Sequence, residues 1–315
     1  MDKKTIDLIE AAIGRRKPLR KITNALRLVN GRGDFLPGLV LEQYDSHGVI
    51  HLFKKRWVSQ KEGLSEFVKS RLGARYLIIK ERLDPKALTS EKINASVWIK
   101  QVPSRTVVCE NTLKFSVDLD DGLNSGLFLD MRRNRKIVTG LTKGIKVLNC
   151  FAYTCSFGVH AKASGASSVI NVDISRKSLE RGRENYELNG LGYAQDEFVR
   201  ADALTYLKRA IAKGNRFGCV ILDPPSFSRH EGKIFSVKKD FAALIDSAMN
   251  VLEPGGIVLA ATNFSGLSPQ ALEGMVAASG KAKVTSIKRL GQDVDFRGSG
   301  SMPESYLAAL LVKTR

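Results

Sequence analysis

Three acidic residues stand at the ends of short apolar runs, and each is followed by a residue type that could use it. Asp173 closes Val169-Ile170-Asn171-Val172, Asp202 follows Phe198-Val199, and Asp223 follows Cys219-Val220-Ile221-Leu222. A carboxylate at a strand tip can accept two hydroxyl protons at once, which suits a ribose diol. Asp223 opens Asp223-Pro224-Pro225-Ser226-Phe227. The proline pair imposes an extended, rigid backbone and removes N–H donors. What remains is a carboxylate and carbonyl oxygens, acceptors suited to a planar amino group, with Phe227 available to stack on a base. Acceptors that hold an exocyclic amine can turn its lone pair towards an electrophilic methyl group. Each acid also has a plainer use: Asp202 can cap a helix starting at 203, and Ser175 can cap the next one along.

These tips need strands and helices to carry them. From Lys146 to Asp173 the chain reads strand, loop, helix, strand, with the loop Asn149–Ser156 small and polar and Gly165 ending the helix. Such a βαβ half gathers ligands at the carboxyl ends of its strands, facing a helix N-terminus. No G-x-G-x-x-G occupies the loop, so a dinucleotide is disfavoured. Further strands are expected at Glu197–Val199, Cys219–Leu222, Ile257–Ala261, Thr285–Leu290 and Tyr306–Lys313, with helices at 157–164, 175–188, 203–213, 238–252 and 268–279. This is an α/β fold, a doubly wound Rossmann-like sheet of seven strands with the last pair antiparallel.

Before it, the pattern differs. Residues 1–24 form a basic helical segment with Arg15, Arg16, Lys17, Arg20 and Lys21 as its densest positive patch. Residues 25–102 read as a small α+β domain, strand-strand-helix-strand-strand, a candidate for binding RNA, with the last strand at Val97-Trp98-Ile99. The α/β domain is set at 103–315. His47 and His51 fall on a turn and a strand face without an acid or thiol at metal spacing, and no metal is expected.

The chain has 315 residues, with 50 Lys and Arg against 32 Asp and Glu, a formal charge of +18. Such an excess attracts polyanions, nucleic acid above all. The four cysteines contain no C-x-x-C pair, which argues against a disulfide framework and for a reducing cytoplasm. The N-terminus lacks the apolar stretch of a signal peptide, and no run is long enough to span a membrane. A dimer is as compatible with the sequence as a monomer.

Over residues 25–315 the sequence resembles the class I S-adenosylmethionine-dependent methyltransferases, and more narrowly the rRNA methyltransferases of the RlmI and RlmKL type. The resemblance rests on G-L-F-L-D-M-R (126–132), N-C-F-A-Y-T-C-S (149–156), V-D-I-S (172–175), N-Y-E-L-N-G-L (185–191), R-A-D-A (200–203), D-P-P-S-F (223–227) and L-E-P-G-G (252–256). It implies S-adenosylmethionine as cofactor, with Phe128, Asp130 and Arg132 on its methionine side. Asn149, Phe151, Ala152 and Tyr153 would lie below it. Asp173, with Ile174 and Ser175, would take its ribose, Asp202 and Ala203 its adenine, and Asp223 its reactive end. RlmI-type enzymes also carry an N-terminal PUA domain, for which this chain begins too late; the basic segment 1–24 is a candidate substitute.

The resemblance leaves the target atom open. Forming 5-methylcytosine needs a thiolate that adds to the ring. The RlmI-type thiol sits where this chain reads A-T-N-F-S-G (261–266), and another group has its thiol where this chain has Ser226. Cys155, in the cofactor loop where relatives carry Gly, reads better as a packing residue. The favoured reading is therefore methylation of an exocyclic amine such as guanine N2 in 23S rRNA, with Asp223, Pro224, Pro225 and Phe227 at the reacting centre. Alternatives are 5-methylcytosine formation through Cys155, a catalytically silent RNA-binding relative, and a small-molecule methyltransferase. The loop 229–237, with His230, and residues 298–301 are expected to flank the cleft as flexible segments.

Overall fold

The computed structural model describes residues 1–83, 95–97, 104–121, 124–230, 233–279, 284–298 and 306–315. They belong to two compact units, Met1–Arg132 with Gln292–Ser305, and Arg133–Gly291 with Tyr306–Arg315.

The first unit begins with α1 (Lys3–Arg16), capped by the Asp2 carboxylate, which accepts from the Thr5 N–H. Strands β1 (Ala25–Asn30), β2 (Leu39–Tyr44) and β3 (His47–Leu52) form an antiparallel meander. A short α2 (Lys55–Val58) and α3 (Lys61–Leu72) then lead to β4 (Tyr76–Glu81), which pairs parallel to β3. A parallel pair needs a crossover, and α3 supplies it, burying Leu64, Phe67 and Val68. The fifth strand is β5 (Ala95–Val97), antiparallel to β4. Its sequence counterpart ran to Ile99; residues 98 and 99 lie outside the described residues.

Alternation along these strands sorts the faces. Leu26, Leu28, Leu39, Leu41, Ile50, Leu52, Leu77 and Ile79 share one core with Ile9 and Ala12 of α1. The N-terminal segment is thus part of this unit's core. Its basic patch is correspondingly reduced. Arg16 is fully buried, with its guanidinium on both oxygens of Asp34 at 2.7 and 2.6 Å, and Arg15 shares Asp34 at 2.7 Å. Lys17, Arg20 and Lys21 stay exposed.

The hairpin β6 (Arg105–Glu110) and β7 (Leu113–Asp118) turns through Asn111 and Thr112, both at positive φ, the geometry of a two-residue hairpin loop. It belongs to the first unit and not to the α/β domain assigned to 103–315 from sequence. The bridge Thr23–Glu110 and the bond from the Asn24 N–H to the Cys109 carbonyl hold it there. A second anchor is Arg132, which is buried against Asp295, Asp293 and Glu110 and donates to the Ala25 carbonyl.

The second unit opens with α4 (Arg132–Thr139). Strands β8 (Lys146–Cys150), β9 (Ser168–Asp173), β10 (Phe198–Arg200) and β11 (Phe217–Leu222) alternate with α5 (Ser156–Ala163), α6 (Arg176–Leu188) and α7 (Ala203–Ala212). After β11 comes a small hairpin, β12 (Phe227–His230) with β13 (Lys233–Ser236), where the sequence suggested a flexible loop. Then follow α8 (Val237–Met249), β14 (Leu252–Thr262), α9 (Pro269–Ala278), β15 (Val284–Leu290) and β16 (Ala308–Thr314). The sheet order is β10-β9-β8-β11-β14-β16-β15. The first five of these strands run parallel, and β16 and β15 are antiparallel, as expected. One core, including Leu148, Val172, Leu222, Leu244, Val258 and Leu310, fills the interior. Among the described residues no helix is long and apolar enough to cross a membrane, and no group of three or more His, Cys, Asp or Glu could hold a metal. Residues 299–301, expected to flank the cleft, lie outside the described residues.

Candidate active site

In the second unit the chain progresses from β8 to β9 and β10 on one side and to β11 and β14 on the other. The point where strand order reverses, between β8 and β11, is where such sheets open a crevice beyond their carboxyl ends. Register puts the tips level. Cys150 lies opposite both Val172 and Leu222, and Leu222 lies opposite Ala260. The next residues, Phe151, Asp173 and Asp223, therefore emerge together, with Asp173 and Asp223 one strand to either side of Phe151 and about 10 Å apart. Arg200 pairs with Asp173, which brings Asp202 to the same edge.

The loop after β8 has an unusual backbone. Phe151, Tyr153 and Cys155 all take left-handed φ, at 57°, 50° and 59°, and none is glycine. Each such position costs an L-residue about 1–2 kcal/mol, and repeated strain of this kind gathers at functional sites. The alternation is held from outside. The Ala152 N–H donates to the Val172 carbonyl, the Tyr153 N–H to Asp173 Oδ2 at 2.8 Å, and the Asn185 amide to the Thr154 carbonyl. Gly158 lets α5 press onto β9, since a Cβ there would lie 2.2 Å from Asn171 Oδ1.

Asp173 is half-buried. Burial raises its pKa above the ordinary carboxylate value in spite of backbone N–H donors from Ser175, Tyr153 and Ile174. Oδ1 accepts from Ser175 and Oδ2 from Tyr153, both at 2.8 Å, so each oxygen keeps acceptor capacity. Ser175 Oγ caps α6 by accepting from the Ser178 N–H, and Ile174 sits half-buried between them. Asp202 caps α7: its Oδ1 accepts from the Thr205 N–H at 2.8 Å, and Oδ2 takes no part in that cap. Ala203, the first residue of α7, is buried. Asn149 lies beneath the loop at 1% exposure and donates to Asn171, a supporting position and not one on the crevice surface.

At the β11 tip, Pro224 is buried, Asp223 half-buried and Pro225 exposed, and Phe227 presents 55% of its surface. Ser226 Oγ donates to Asn263 Oδ1 at 2.8 Å, joining the tips of β11 and β14. These are the two places where a nucleophilic thiol would be sought, and they touch. Asn263 had no signal of its own in the sequence beyond following an apolar strand. Phe235 of β13 packs on Phe151 with centroids 5.4 Å apart, so the hairpin after the proline turn also supports the β8 loop.

The thiols of the second unit are poorly placed for nucleophilic chemistry. Cys150, Cys155 and Cys219 are buried, and burial pushes all three up, Cys219 to about 12. Cys155 Sγ packs against Gly182, where a Cβ would come within 2.4 Å of it.

Phe128, Asp130 and Arg132 belong to the first unit. Phe128 is exposed and Asp130 half-buried on the turn Leu129–Met131. Arg132 is 1% exposed, and Asp295 and Asp293 bind its guanidinium, with Glu110 close by. It does not offer a free guanidinium to a ligand.

The S-adenosylmethionine-dependent methyltransferase family profile matches residues 54–313. The chain is 30% identical over 97% of its length to Ribosomal RNA large subunit methyltransferase I of Photobacterium profundum, covering 80% of that protein. It is 32% identical over 95% of its length to the enzyme of the same name from Aeromonas salmonicida, covering 78% of it. A methyltransferase crystallised in complex with SAH, SMU.776, superposes with a TM-score of 0.84 at 26% identity, over 98% of this chain and 80% of that one. The level strand tips, the strained loop between them and these matches agree: the chain belongs to the S-adenosylmethionine-dependent methyltransferase family.

Proposed function

We propose that this enzyme methylates an exocyclic amine of a base in large-subunit rRNA, with guanine N2 the favoured atom. The observation that carries the reading is the level pair of Asp173 and Asp223 on either side of the strained β8 loop. The residues fit the cofactor by donor chemistry. Asp173 keeps a lone pair on each oxygen for the two ribose hydroxyls, and Asp202, at the same edge, keeps Oδ2 outside its helix cap for the adenine end. The loop Phe151–Tyr153, with Ile174 and Ser175 beside it, would form the floor. The cofactor supplies a methyl group already activated by its sulfonium.

The chain's own residues then have to position a nitrogen. Asp223 and the carbonyls of its proline turn accept from the amine, and Phe227 stacks on the base that carries it. No strong base is required, because the nitrogen can lose its proton after transfer. Asp223 also stabilises the positive charge that develops there. The charge of +18 suits an RNA substrate, and the names of the relatives point to rRNA. An enzyme acting on that substrate works in the cytoplasm. The buried Cys155 disfavours 5-methylcytosine formation.

The test is mass-spectrometric mapping of modified nucleosides in rRNA from a strain lacking the protein, before and after incubation with protein and S-adenosylmethionine. N2-methylguanosine should appear at one position. Appearance of 5-methylcytidine, or of no new nucleoside, would sink the proposal.

A further inference from the structure

The turn N-G-R-G-D-F between β1 and β2 has no role in methyl transfer as derived above. Phe35, at its end, is 69% exposed, more than any other large hydrophobic residue among those described. It is also left-handed, with φ at 62°. A bulky side chain in that region of φ is an outlier, and such outliers persist only where surrounding structure over-determines them. A single exposed Phe is ordinary, but it does not need a strained backbone.

The surroundings here do over-determine it. The Phe35 N–H donates to the Arg32 carbonyl at 3.0 Å, and the next residue, Leu36, donates to the Gly31 carbonyl and inserts into the core. Asp34, fully buried, receives Arg15, Arg16 and the Asn30 N–H, all at 2.7 Å or less. On the other side, a Cβ on Gly33 would lie 1.9 Å from the Arg297 carbonyl oxygen, and the Asn30 amide donates to that same oxygen at 2.9 Å. The turn is thus wedged between α1 and residues 295–298, and Phe35 is held pointing outwards.

Its neighbours define the partner. Arg32 and Arg297 are exposed, while the acid of the turn, Asp34, is buried and neutralised by two guanidinium groups. An exposed aromatic ring on a fixed turn that also carries the exposed Arg32 and packs against the backbone of the exposed Arg297, on a strongly basic protein, is a combination suited to stack a base and take its phosphate. We propose that this turn is a docking surface for an unpaired nucleotide of the substrate RNA, with Phe35 under the base and Arg32 on the backbone. The proposal rests on the RNA reading above.

The test uses the full chain and a fluorescent eight-nucleotide oligoadenylate, with binding followed by anisotropy across a salt series. Phe35→Ala and Phe35→Leu should each weaken binding about tenfold without changing the salt slope, and Phe35→Trp should restore it. Arg32→Ala should reduce the magnitude of the slope by about 0.7, the loss of one phosphate contact on a single strand. Melting temperatures report whether each variant is folded, and Phe35→Trp keeps the comparison informative if Phe35→Ala is not. Wild-type affinity in Phe35→Leu would mean that the surface is merely apolar, as for a protein partner, and would overturn the proposal. So would unchanged affinity in Phe35→Ala. If the wild-type chain methylates rRNA while Phe35→Ala binds the probe normally, only this inference fails. If the wild-type chain neither binds the probe nor methylates rRNA, the RNA reading fails with it.

Discussion

The buried acids of the first unit and the strand-tip acids of the second are satisfied in opposite ways. In the first, the buried Asp34, Asp295 and Glu42 are answered by Arg16, by Arg132, and by Arg27 with His51, respectively. In the second, Glu197 is likewise paired with Lys162, but Asp173 and Asp202 stand at strand tips and accept from backbone N–H groups. Burial alone would raise Glu42, yet Arg27 and His51 outweigh it and hold its carboxyl well below the usual range. Burial raises Asp173 too, and there the opposing groups are the backbone N–H groups of Ser175, Tyr153 and Ile174. A carboxylate facing a guanidinium has its charge satisfied within the fold. A carboxylate facing only N–H groups keeps acceptor capacity, and that capacity is what a ligand can use.

The sharpest way to break this contrast is to remove one acid from the first unit. Asp34→Ala would leave the buried Arg16 charge unpaired, and we predict a loss of roughly 3–5 kcal/mol. For a chain of this size that lowers the melting temperature by about 10 °C, measurable by calorimetry. A shift below about 2 °C would show that water or local rearrangement satisfies Arg16, and that the pair is not structural.

The pH dependence of the first unit should be the next largest effect. His51 Nε2 donates to Glu42 Oε2 at 3.2 Å, and burial lowers its pKa to about 4 although Glu42 works the other way. An unfolded His gains its proton near pH 6.5. Between those values the unfolded chain binds the extra proton, so stability falls as pH drops from about 6.5 to about 4, by about 3 kcal/mol from this group. Chemical denaturation at pH 7 and pH 5 would capture about 2 kcal/mol of it. His51→Gln should flatten the profile in that window; an unchanged slope would place the titration elsewhere.

Asp173→Ala tests the second unit. Loss of two charge-assisted hydrogen bonds to a diol should weaken S-adenosylmethionine binding by about 2–3 kcal/mol, or 30–150-fold, while the fold survives. Calorimetric titration reads it directly. In the wild type, affinity should hold at neutral pH and decline as pH falls through the raised pKa of Asp173, because only the ionised form accepts from both hydroxyls. Equal affinity in wild type and variant would remove Asp173 from the site.

Much of the second unit was legible because its signals are local. Apolar runs ending in an acid gave the strands and their tips, and Ser175 and Asp202 announced the helix starts that they cap. The first unit was harder. Arg16 and Arg132 look like surface charges in sequence, and nothing local shows that Asp34 and Asp295, 18 and 163 positions away, neutralise them. For the same reason the domain boundary was set at 102, although the hairpin β6–β7 and residues 292–298 belong with the first unit. The strained loop was missed because left-handed φ is read from glycine, and Phe151, Tyr153 and Cys155 carry none.

The smallest expected effect separates strain from chemistry within that loop. Cys155 is left-handed, buried and in contact with Gly182. In Cys155→Ala the strain stays while the sulfur contacts go, a loss of about 1 kcal/mol. In Cys155→Gly the same contacts go, but the φ of 59° becomes free of steric cost, which returns about 1 kcal/mol. The glycine variant should therefore be at least as stable as the alanine variant, a reversal of the usual order at a buried position. Methyl transfer should stay within about twofold of wild type in both, since neither change alters a group that meets the substrate. If both variants were instead folded, bound the cofactor and were inactive, Cys155 would be the nucleophile after all, and the buried thiol would have to reach the base by a movement of the loop that holds it.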